Sequence, residues 1–216
     1  METSSFSVLE LFNLGGPFMW PLLFFSVATI AISIERIVYL IYHNLRVDDL
    51  AKKVSDFVKD GDYNAAAEYL EPKTKRRMGA RVLLSLIKNS GEGINFSEHR
   101  AEKAVETEAM NCINSLENGF NFLTALGSLS PLTGFLGTVS GMIGAFRSIA
   151  EATEVNAQIV ANGIYEALIT TVFGLVIAII AMVSHSILSH IVDKFGARIE
   201  GICSNLIAQI AKTPER

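Results

Sequence analysis

Four polar residues lie inside otherwise apolar stretches in the second half of the chain: Thr138, Glu166, Thr170 and Thr171. Their types suit one chemistry. A threonine hydroxyl both donates and accepts a hydrogen bond, so it can relay or orient a proton without becoming charged. A carboxylate at bilayer depth costs roughly 2.5–3.5 kcal/mol even on a lenient insertion scale, so Glu166 must face protein or water, or stay protonated. The spacing places these residues on helix faces. Glu166, Thr170, Gly174 and Ala178 recur at steps of four, with Met182 a little off the stripe and Thr171 beside it. Gly127, Pro131, Gly134, Thr138, Gly141 and Ala145 follow one another at steps of three or four on a second helix. Glu166, Thr171 and Thr138 are expected to line a sparse polar path between apolar walls. A second reading stays open: each threonine bonds back to a carbonyl one turn earlier. In that reading the glycines, including the Gly137 and Gly141 pair at GxxxG spacing, only let helices approach. Packing alone does not account for Pro131 and Thr138 on the same face.

Other chemistries find no residues. No GxxxxGK[ST] run exists, which excludes nucleotide hydrolysis by that route. No metal-ligand cluster and no nucleophile–base pair is visible, so no catalytic residue, metal or cofactor is expected. His43, His185 and His190 flank the ends of apolar stretches and read as interfacial or packing residues. The net charge of −4 gives no sign of nucleic-acid binding. Two cysteines, Cys112 and Cys203, are too few for a disulfide framework and read as small hydrophobes. No aspartate lies in any apolar stretch. If ions move here, the main titrating carboxylate belongs to another chain.

The elements that must position these groups are long helices. Half of the 216 residues are hydrophobic and 19% are charged, a profile that fits a membrane protein with a modest aqueous part. Three apolar segments reach or exceed the roughly 20 residues a helix needs to span a bilayer core. The expected organisation begins with a short interfacial segment, 1–16, broken by Gly15-Gly16-Pro17, with no basic region of the kind that marks a cleavable signal. A membrane helix follows over 17–43, with Trp20 at one end and Tyr39 and Tyr42 at the other, as aromatic belts are placed. A helical aqueous region covers 44–118, and a second membrane helix 119–149. A short bridge spans 150–157, a third membrane helix 158–192, and a helical tail 193–216. Within the aqueous region, helices are expected over about Val47–Lys59, Tyr63–Leu70 and Met78–Asn89. The basic run Lys73–Arg77 reads as a solvated loop. A further helix, capped by Asn95 or Ser97, should run on into the membrane as one rod from about Ser97 to Ile149. Twelve of the 18 Lys and Arg residues fall between 45 and 118, and none precedes Arg36. That asymmetry puts the N-terminus outside and the C-terminus inside.

Gly134-Phe-Leu-Gly-Thr-Val-Ser-Gly-Met-Ile143 with Ala145-Phe146, then Gly163-Ile-Tyr-Glu-Ala-Leu168, Thr171 and Gly174-Leu175, resemble the signature of the ExbB/TolQ/MotA proton-channel family. The likeness covers the whole hairpin, and the three-helix order is closer to ExbB and TolQ. It implies an all-α inner-membrane protein with three membrane helices, two of them extended into a cytoplasmic helical bundle. It also implies a pentamer around a dimer of single-span partners of ExbD/TolR type, whose membrane aspartate carries the proton. An energy transducer of TonB or Pal/TolA type is a further implied partner. Thr138 and Thr171 match the polar residues facing that aspartate. Glu166 matches the glutamate near the periplasmic mouth, and Pro131 a helix-breaking proline. Ile180 and Ser140 depart from the pattern, standing where relatives have proline and tryptophan. The rival readings are a flagellar or gliding stator of the same mechanism and a non-conducting scaffold.

Overall fold

The computed structural model describes residues 8–90, 97–151 and 157–212. Among these, every regular element is helical: α1 (Val8–Leu14), α2 (Met19–Tyr42), α3 (Asp48–Asp60), α4 (Tyr63–Leu70), a 3₁₀ turn (Glu71–Lys73), α5 (Met78–Ser90), α6 (Glu98–Glu117), α7 (Phe120–Glu151) and α8 (Ala157–Lys212). Three helical stretches, beginning at Met19, Glu98 and Val160, are long and apolar enough to cross a membrane. The turn expected after Ser90, a cap at Asn95 and the bridge after Glu151 lie outside the described residues.

The chain forms two compact units. The first comprises residues up to Ile34 and Gly119–Ser186. Its architecture follows from an excess of small residues. Gly127, Ser130, Gly134, Gly137, Gly141 and Ala145 are the buried face of α7, and α8 packs on them. Met19, Leu22, Ile169 and Ile177 form a separate apolar cluster, against which Leu11, Phe12, Phe25 and Phe173 are partly buried. This cluster pins α1 and the start of α2 to α8. Between α1 and α2 the chain turns at Gly15 and Gly16, and Gly16 has a φ of 67° that L side chains rarely adopt.

The second unit comprises Glu35–Asn118 and Ile187–Arg216. Leu50, Val54 and Val58 recur on the buried side of α3. Leu70, Leu83, Leu86, Leu116, Ile199 and Cys203 join the same unit's buried set. Gly61, in the left-handed region at φ 76°, ends α3. Asp62 then caps α4, its side chain accepting from the Ala65 amide at 2.9 Å. Ser97 caps α6 through the Arg100 amide. The basic run after α4 is partly tied down and not wholly solvated. Lys73 donates to the Tyr69 carbonyl at 2.7 Å, and Arg77 makes two 2.6 Å bonds to Asp49. Arg36 pairs with its neighbour Glu35 and lies 4.7 Å from the centre of the Tyr39 ring.

The expected continuous rod is interrupted. The rod from Ser97 to Ile149 is two helices, because α6 stops at Glu117 and α7 starts at Phe120. Asn118 takes an extended ψ of 126° and Gly119 a φ of 93°. Neither is a helical conformation, and only glycine adopts the second freely.

The Arg77 guanidinium beside Asp49 holds that carboxyl below the usual carboxylate range, against a smaller opposing effect of burial. A depressed folded-state pKa stabilises above the unfolded value of about 3.9 and is lost as pH falls through the folded one. Asp49→Asn therefore lowers the protection of α3 amides in hydrogen exchange at neutral pH. The effect is under about 1 kcal/mol, because the carboxylate is exposed. As pH falls below about 4 and on through the lower folded-state value, the variant and the parent converge.

Candidate ion-conducting hairpin

The hairpin of α7 and α8 is built where side chains are missing. A Cβ on Gly174 would lie 2.5 Å from the Ser130 carbonyl oxygen, and one on Gly134 would lie 2.8 Å from the Thr170 carbonyl oxygen. A Cβ on Gly141 would be 3.1 Å from the Gly163 oxygen, and one on Gly127 3.0 Å from Met182 Cγ. Gly137 leaves the space that the Thr170 side chain fills. Backbone therefore meets backbone at Gly174 and Ser130, at Gly134 and Thr170 and at Gly141 and Gly163, over about three turns of an antiparallel pair. In lipid, where helices gain no hydrophobic drive from association, such close approach supplies dispersion contacts instead.

The phase of this seam differs from the sequence-based one. Ser130 and Gly137 are central on α7, and Gly163 and Ala167 are central on α8. Pro131 and Thr138 sit at the seam's edge, each only partly buried. Pro131 lies inside α7, which continues through it. Having no N–H, it leaves the Gly127 carbonyl without its usual donor four residues on.

Three threonines converge on one carbonyl. In an α-helix the Gly134 oxygen is the acceptor for the Thr138 amide. The Thr170 hydroxyl reaches the same oxygen at 3.3 Å and the Thr171 hydroxyl at 3.4 Å. A carbonyl has two lone pairs, so three donors share it weakly. The threonines differ otherwise. Thr170 is 1% exposed and has a better partner in the Ala167 carbonyl at 2.9 Å. Thr171 is partly exposed, and its long bond to Gly134 is its only partner among those resolved. Thr138 donates to the Phe135 carbonyl at 2.6 Å. With that proton committed, its lone pairs remain to accept one. Around this edge the exposed surface is apolar: Phe135, Leu136, Val139, Leu168, Val172 and Leu175.

Glu166 lies on a different stripe of α8, in step with Ile169, Phe173 and Ile177. Its carboxylate rests against the backbone of Gly16, where any Cβ would overlap it. Nothing in the sequence signals that contact beyond a turn at Gly15-Gly16-Pro17. Among the described residues no group of three or more metal-ligating side chains occurs. His185 packs edge-on to Phe120 at 5.7 Å.

These features define a class: an all-helical, multi-span membrane protein whose hairpin presents isolated hydroxyls at the rim of a glycine seam. The profile of the MotA/TolQ/ExbB proton channel family matches residues 75–201, and the chain belongs to that family. The biopolymer transport protein exbB1 of Vibrio cholerae is 26% identical over 195 residues, 86% of this chain and 80% of that one. An ExbB-like biopolymer transport protein of Synechocystis sp. is 33% identical over 167 residues, covering 76% and 77%. The Tol-Pal system protein TolQ of Haemophilus influenzae is 46% identical over 77 residues, only 36% of this chain and 34% of TolQ. The chain is thus an ExbB/TolQ-like proton-channel subunit and a multi-pass inner-membrane protein.

Proposed function

We propose that this subunit forms the channel wall of an inner-membrane motor driven by the proton-motive force, and that it works on a partner reaching into the periplasm. The observation that carries the reading is the pair of partly exposed hydroxyls, Thr138 one turn along α7 from the Gly134 carbonyl and Thr171 3.4 Å from it across the seam, with apolar surface around them. Such a rim can solvate a protonated or ionised carboxyl as it passes, yet the membrane stretches 17–43, 119–149 and 158–192 carry no aspartate of their own. The titrating residue therefore comes from another chain. The fitting partner is a dimer of single-span proteins of the ExbD/TolR kind, enclosed by a ring of five copies of this subunit. A transducer of the TonB or Pal/TolA kind would take the force onward.

In this scheme Thr171 and Thr138 face the moving carboxyl, and Glu166 stands nearer the periplasmic mouth. Thr170 supports them from behind, its side chain filling the space beside Gly137 and its hydroxyl donating chiefly to the Ala167 carbonyl. The distribution of basic residues supports a periplasmic N-terminus and a cytoplasmic C-terminus. The exposed apolar faces of α2, α7 and α8 are then covered by lipid and by neighbouring copies.

Co-expression with a single-span membrane protein of the ExbD/TolR kind from the same organism tests the reading. We expect a stable detergent-resistant complex in which this subunit outnumbers its partner. A subunit that purifies alone under all mild detergents, with the candidate partner present in the same membrane, sinks the motor and leaves a scaffold.

A further inference from the structure

The reading above uses Glu166 but says nothing of what holds it. Two independent contacts bear on that. First, the Glu166 carboxylate occupies the space where Gly16 has no side chain, and Gly16 sits at φ +67, in the left-handed region. Second, the segment carrying Gly16 is fastened to the same stretch of α8. Leu11 and Phe12 pack on the cluster that contains Ile169 and Ile177, and a Cβ on Gly15 would come within 3.2 Å of Ile169 Cγ2. So α1 and its glycine turn sit on α8 at both Glu166 and the residue one turn on.

We propose that Gly16 is a positioning residue for conduction: the α1–α2 turn is a seat that holds the Glu166 carboxyl at the mouth, and it works because position 16 has no side chain. This rests on the proposed role of Glu166 in the path. It makes the N-terminal segment a functional part of the channel and not merely an anchor. A glutamate free to swing offers its oxygens to a passing proton in many orientations. One seated on a turn offers them in one, which is what a relay needs.

The experiment measures proton flux through the subunit–partner complex in vesicles, with membrane level and complex size as controls. Gly16→Ala fills the seat and should lower flux about tenfold at an unchanged level of complex. Glu166→Asp, one methylene shorter, should lower it a few-fold by retracting the carboxyl. The double variant should exceed Gly16→Ala alone, because the shorter side chain clears the new methyl group. Gly16→Asn adds bulk in a residue type that tolerates left-handed backbone, and it should behave as Gly16→Ala does if space is what matters. Should Gly16→Ala fail to accumulate, recovery of its level by Glu166→Asp carries the same meaning. Parental flux in Gly16→Ala, or a double variant no better than Gly16→Ala in flux and in level, overturns the seat. Glu166→Gln separates the two ideas. Its full flux would remove Glu166 from the path and the seat's function with it. A dead Glu166→Gln beside an unaffected Gly16→Ala would remove the seat alone.

Discussion

Thr171→Val should abolish proton-driven output while the subunit still inserts, packs and binds its partner. Valine and threonine have nearly the same shape, so the seam beside Thr171 keeps its fit. The hydrogen bond lost is the 3.4 Å one to the Gly134 carbonyl, which is long and partly exposed. That carbonyl keeps the helical Thr138 amide and the Thr170 hydroxyl as donors. The stability loss should be under about 1 kcal/mol. The function lost is larger. Without an oxygen at 171, a carboxyl passing this rim meets only hydrocarbon on the α8 side, and an unmet polar group in an apolar setting costs roughly 1–3 kcal/mol on protein scales. Charged, it costs more. Flux in reconstituted vesicles and the thermal midpoint in detergent are the two measurements. Parental flux in the valine variant would make Thr171 a packing residue and return the hairpin to the scaffold reading.

Gly174→Ala should be the most damaging single methyl group in the membrane part. Its Cβ would stand 2.5 Å from a backbone oxygen of Ser130, and backbone in a continuous helix cannot step aside as a flexible side chain can. The helices must separate, and contacts along the neighbouring turns go with them. Overpacking of this kind costs typically 1–3 kcal/mol, and more where nothing yields. We expect a thermal midpoint lowered by several degrees and reduced recovery from membranes. Gly144→Ala is the matched control. Nothing lies within 4 Å of a Cβ there, so it should be neutral or slightly stabilising through helix propensity. Equal behaviour of the two variants would mean that the seam does not hold the hairpin together.

Much of this was legible before any coordinates. The aqueous helices fall within a residue or two of where apolar periodicity places them, because Gly61, Asp62, Pro72 and Ser97 are strong stop and start signals. The three membrane helices follow from length and hydropathy alone. The phase of α7 was less legible. Its small residues occupy several sides, so Gly127, Pro131, Gly134 and Thr138 formed as plausible a stripe as Gly127, Ser130, Gly134 and Gly137. Only the near-contact of Gly134 with Thr170 and of Gly174 with Ser130 decides between them, and such contacts depend on the partner helix. The break at Asn118-Gly119 was missed because a lone glycine in a helical pattern is often tolerated. The seat for Glu166 was out of reach for another reason. Its two halves lie 150 positions apart in the chain, and a glycine advertises nothing about what will fill its empty side.

The glycine seam also constrains how this subunit can move. Side chains that interdigitate can change rotamer and let two helices slip, but α7 and α8 meet chiefly through main-chain atoms, with few side chains between them to change rotamer. The hairpin should behave as a stiff laminate. Any working stroke then has to come from sliding between whole hairpins or against the enclosed partner, along the apolar outer surfaces where side chains are long and forgiving.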